Sequence, residues 1–95
     1  MSCCSTDRHE FVMGKVRNMK AWLKDWTSPE LAAMYDESKV VGMIATGLLP
    51  LYAAGKLDEG VEEVLRKLVG VPDAEVEGVR LKVKRYLTCF CEALV

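Results

Sequence analysis

Apolar residues recur at intervals of three and four along most of this chain, and no stretch of strand length alternates with a period of two. At about 100° per residue, Phe11, Val12, Val16, Met19, Trp22, Leu23 and Trp26 fall within about 140° of one another, with Glu10, Arg17, Lys20 and Lys24 opposite. This spacing predicts an amphipathic helix over about residues 7–26. Met13 falls on its polar side. Lys15 falls within the apolar side, where its stem can lie along apolar surface while the ammonium reaches water. Thr27-Ser28-Pro29-Glu30 then reads as a stop and restart. Ser28 can accept from the next helix start, and Pro29 fits the first helical position, where its missing N–H is not needed. The helix it opens is short, about residues 29–35, and Asp36-Glu37-Ser38 offers fresh caps.

Residues 40–55, VVGMIATGLLPLYAAG, carry no charge over sixteen positions. Such a run is expected to lie inside the fold. It is shorter than the roughly 18–20 apolar residues that span a bilayer, and it holds three glycines and a proline. A central helix wrapped by its neighbours is expected. Pro50 removes one backbone donor and presses on the carbonyl of Thr46, so a bend of more than about 20° or a break is expected near Gly47 and Pro50. Gly55 is placed to end the segment.

Asp58 is expected to cap a fourth helix, with Val61, Val64, Leu65, Leu68 and Val69 on one face. Glu62 with Arg66 and Glu63 with Lys67 are spaced as acid-first pairs on the other face. Gly70, Val71 and Pro72 read as its close. A fifth helix, about residues 74–94, puts Val76, Val79, Val83, Tyr86, Leu87, Phe90 and Leu94 within about 100°, the width of a core-facing stripe. Leu81 lies on the far side, and Cys89 also points away. The pattern predicts an all-α fold: a compact bundle of four to five helices around a central apolar, proline-kinked helix. Residues 1–6 are expected as a flexible N-terminal tail and residues 7–95 as a single helical domain.

Composition narrows the classes. With 95 residues and 51% hydrophobic positions there is material for one core, and nearly every apolar face is needed to build it. The net charge of −1 argues against a nucleic-acid footprint over the whole protein. The start, MSCCSTDRHEF, lacks an apolar secretory stretch, so reduced thiols in the cytoplasm are expected. Cys3 and Cys4 stand where acylation signals occur, but position 2 is Ser2, and the ending Cys91-Glu92-Ala93-Leu94-Val95 forms no prenylation box.

The chemical inventory is thin. His9 is the only histidine, flanked by Arg8 and Glu10 on a solvated turn, and no partner that would make it a general base is evident. The paired acids Asp36-Glu37, Asp58-Glu59 and Glu62-Glu63 suit caps and solvated faces. Zinc on Cys3, Cys4, Cys89 and Cys91 is disfavoured, because Cys89 and Cys91 diverge by about 200° on a helix and no CxxC knuckle is present. The twelfth position from Asp36 is Gly47, where a calcium loop needs Glu, and no GxxxxGK phosphate loop occurs. No catalytic residues, metal ligands or cofactor-binding residues are assigned.

Two surfaces remain. Arg80, Lys82, Lys84 and Arg85 place four basic groups within six residues, a spacing that phosphate of nucleic acid or anionic lipid would need and that an ordinary solvated face also shows. The first helix, with a basic edge and Trp22 and Trp26 opposite, has the make-up of a membrane-surface or calmodulin-target helix, but its apolar face is needed for the core. Met13 and Leu81 are apolar side chains beyond their helices' main stripes and are taken with the four basic residues. These six form the candidate partner surface. The function expected is a non-catalytic helical protein–protein interaction module, an adaptor or subunit of a complex. The alternative is a carrier of an apolar ligand or a peripheral membrane protein, with Gly42, Ala45, Gly47, Ala53 and Ala54 leaving a cavity between helices.

Overall fold

The computed structural model describes residues 4–36 and 39–95. Helix α1 spans Cys4–Leu23, α2 Pro29–Met34 and α3 Val40–Met43. A π turn, Ile44–Leu48, joins α3 directly to α4, Leu49–Ala53. Helix α5 spans Leu57–Arg66, and a 3₁₀ turn at Asp73–Glu75 leads into α6, Val76–Leu94. Among the described residues there is no strand, only an isolated antiparallel bridge between Thr27 and Leu68. The fold is the all-α bundle that the periodicity predicts.

Helix α1 begins at Cys4, ahead of the expected start at Asp7, so half of the stretch expected as a tail is helical. Residues 1–3 lie outside the described residues. Val12, Val16, Met19 and Leu23 are buried, while the stripe's edges, Phe11, Trp22 and Trp26, stay at or near the surface. The helix closes where the backbone N–H groups of Trp26 and Thr27 and the Thr27 hydroxyl all donate to the Leu23 carbonyl. Ser28 is the N-cap of α2, its Oγ accepting from Leu31 N at 3.2 Å, with Pro29 in the first turn. Lys20 Nζ donates to the Tyr35 carbonyl at 3.2 Å, tying α1 to the C-terminal end of α2. The caps expected at Glu37 and Ser38 lie outside the described residues.

The uncharged run differs most from expectation. Val40, Ile44 and Leu48 form its one buried edge, while Gly42, Met43, Ala45, Thr46, Gly47, Pro50, Ala53 and Ala54 are exposed. The physical reason is side-chain size. Glycine and alanine have little apolar area to hide, so the lack of charge along the run does not translate into a driving force to bury its whole circumference. The chain does not break at Pro50. Instead the Leu49 N–H reaches back five residues to the Ile44 carbonyl, and the widened turn precedes the ring. Thr46 Oγ1 donates to the Gly42 carbonyl at 2.9 Å beside it. Gly55, with φ +73°, ends the segment as expected.

Helix α6 is the element the others pack around, contacting α1, α5, the π turn and α4. It buries Val79, Val83, Leu87, Phe90 and Cys91. Helix α5 buries Leu57, Gly60, Val61 and Val64 and stops at Arg66, earlier than the sequence suggests. There the strand-like bridge takes over: Leu68 pairs with Thr27, and Val69 N donates to the Trp26 carbonyl at 2.7 Å. Val69, expected on the apolar face, is consequently exposed.

Candidate functional site

The basic cluster of α6 is divided between two neighbours. Toward α5, Arg80 Nε lies 3.1 Å from Glu62 and its Nη1 3.3 Å from Glu77, while Lys84 Nζ lies 3.0 Å from Asp58. Asp58 therefore sits inside the first turn of α5 and ties it to α6, and Lys56 takes the cap position expected of Asp58. Glu62 is likewise drawn to Arg80, so its expected pair with Arg66 does not form. Arg66 pairs with Glu63, which also holds Lys67 at 3.1 Å. The Glu63 carboxyl is held below its usual range by hydrogen bonds from Arg66 and then Lys67.

Toward α1 the picture reverses. Lys15, Gly78, Leu81, Lys82, Arg85, Tyr86 and Cys89 line a groove of about 440 Å³ between the two helices. No carboxylate among the described residues lies within ion-pair distance of Lys15, Lys82 or Arg85. Lys15 and Lys82 rest on rings instead: Lys15 Nζ lies 5.4 Å from the Phe11 centroid, and Lys82 Nζ 4.4 Å from that of Trp22. Leu81 stands among these cations with 61% of its surface open.

Tyr86, the one ring that lines the groove, belongs to a chain of ring contacts. Trp22 stacks on Tyr86 at 6.0 Å and meets Trp26 edge-on at 6.3 Å. Tyr86 in turn lies 6.3 Å from the fully buried Phe90. Of the six residues singled out from sequence, the structure brings Leu81, Lys82 and Arg85 together on this groove. It assigns Arg80 and Lys84 to the α5 interface and leaves Met13 half-buried against the core. Sequence reasoning missed Lys15 and Tyr86. Lys15 did carry a signal, as a cation within an apolar stripe. Tyr86 gave none, since it reads as an ordinary stripe residue.

His9 is exposed on α1, and among the described residues the buried side chains that titrate are Tyr35 and Cys91. No three His, Cys, Asp or Glu side chains among the described residues are grouped as metal ligands. Burial pushes the phenol of Tyr35 and the thiol of Cys91 upward, each toward its neutral form. No described helix is long and apolar enough to cross a membrane. Of the small residues expected to line a cavity, Gly47 alone does so, on a second groove between the π turn and α5.

Comparison with protein-family models, with curated proteins and with solved structures finds no match for this chain.

Proposed function

We propose that this protein is a non-catalytic, cytoplasmic helical interaction module that docks an acidic, apolar-bearing segment of a partner protein in the groove between α1 and α6. One observation carries the reading. Three cations without carboxylate partners, Lys15, Lys82 and Arg85, line one groove together with an open leucine, Leu81, and the ring of Tyr86. Charge complementarity selects an acidic partner, and Leu81 with Tyr86 offers the desolvated contact that anchors one. The cytoplasmic reading rests on Cys89 and Cys91, which are free thiols.

The test is binding of a synthetic amphipathic helix with leucine on one face and glutamate on its flanks, read by fluorescence anisotropy. A peptide with lysine in place of glutamate and vesicles of anionic lipid serve as comparators. The acidic peptide is expected to bind, to weaken with salt, and to weaken at least tenfold in Lys82→Glu/Arg85→Glu and severalfold in Leu81→Ala. Glu77→Gln, on the other side of α6, is expected to leave binding unchanged. Indifference of the acidic peptide to the double charge reversal overturns the site. Preference for vesicles over peptide overturns the partner class.

A further inference from the structure

A second groove, of about 360 Å³, opens where the π turn crosses α5. Its apolar lining is Met34, Tyr35, Met43, Ile44, Leu48 and Leu51, with Gly47 on the open rim and Gly60 letting Leu48 approach α5 closely. Such a volume lies at the small end of the range of about 300–1,000 Å³ typical of ligand sites. Met34 and Met43 stand at the surface, and methionine side chains reshape readily around an occupant. The polar groups are confined to one wall, the α5 residues Glu59, Glu63 and Arg66. Arg66 is spent on Glu63, and Glu59 has no ion-pair partner among the described residues. An anionic head would have to displace the Arg66 pair and face Glu59. A cationic head meets Glu59 directly.

We infer that this groove binds a small cationic amphiphile: an aliphatic body between the π turn and α5, and an ammonium head on Glu59. The inference is independent of the α1/α6 surface, and the two grooves share no lining residue. The widened turn ahead of Pro50 carries Ile44 and Leu48, and both line the groove.

Decyltrimethylammonium is the probe, with decanol and decanoate as comparators, and the methyl resonances of isotopically labelled Met34 and Met43 report occupancy. The cation is expected to shift both methyls at the lowest concentration, decanol at higher, and decanoate at the highest. Glu59→Gln is expected to weaken the cation about two- to fivefold, the range of an exposed ion pair, and to leave decanol unchanged. At Gly47 a Cβ meets nothing within 4 Å, so Gly47→Leu is expected to fold, keep its melting temperature and abolish the methyl shifts. Methyl shifts that persist in folded Gly47→Leu overturn the site. Decanoate binding as tightly as the cation overturns the ligand class.

Discussion

Leu48 Cδ2 lies where a side chain on Gly60 would begin: a Cβ built on Gly60 falls 2.8 Å from it. The π turn and α5 therefore meet through the missing side chain of one residue and the branched end of another. Gly60 is buried, and Leu87 of α6 lies behind it at 3.8 Å from the same point. Substitutions at residue 60 measure how much freedom that junction has. Gly60→Ala gains up to about 1 kcal/mol of helix propensity and displaces only the end of a flexible leucine, so its stability should stay within about 1 kcal/mol of wild type. Gly60→Leu overpacks the junction and should cost about 1–3 kcal/mol or more. Urea unfolding of both variants checks this, and equal midpoints for the two would show that the elements separate easily.

The core and the partner surface should respond differently to truncation. Phe90 is fully buried between the rings of Tyr35 and Tyr86, so Phe90→Ala is expected to cost about 3–5 kcal/mol. Leu81→Ala, on an open side chain, is expected to change stability by less than about 0.5 kcal/mol while weakening the acidic peptide. Denaturant unfolding separates the two.

Alkaline pH should destabilise the fold. Tyr35 holds its phenolic proton above the ordinary value near 10 because burial disfavours the phenolate, with the Cys91 thiolate a lesser cause. Between the ordinary and raised values the folded chain keeps a proton that the unfolded chain has released. Stability is thus intact below about pH 10 on this account and falls as pH rises beyond it. Tyr35→Phe should flatten that limb in melts across pH 9–12, and an unchanged slope would remove Tyr35 as its source.

Thiol reactivity should follow burial. Cys91 has no exposed surface, and burial followed by the charge of Glu92 raises its thiol, whereas Cys89 lines the α1/α6 groove. Under native conditions Cys89 is expected to label before Cys91, and Cys91 only on unfolding. Helicity should not change with reductant. Faster labelling of Cys91 would mean that the C-terminal turn of α6 frays.

Periodicity alone determined the fold class, because a helix that buries one face must repeat its apolar residues every three or four positions wherever it sits. The stripes of α1 and α6, the Ser28 and Pro29 restart and the Gly55 stop are local physics and were legible as such. The 40–55 run was not, because an absence of charge reports only what a segment avoids. Whether it is buried depends on how much apolar area its neighbours leave uncovered, and glycine and alanine offered too little to claim the centre from α6. The same holds for the candidate site. The sequence shows four basic residues in a row of six, but only the packing of α6 against its neighbours decides that Arg80 and Lys84 meet carboxylates while Lys82 meets the ring of Trp22 and Arg85 meets solvent. Charge partners belong to surfaces that come together in three dimensions, and spacing along one helix cannot distinguish a satisfied cation from a free one.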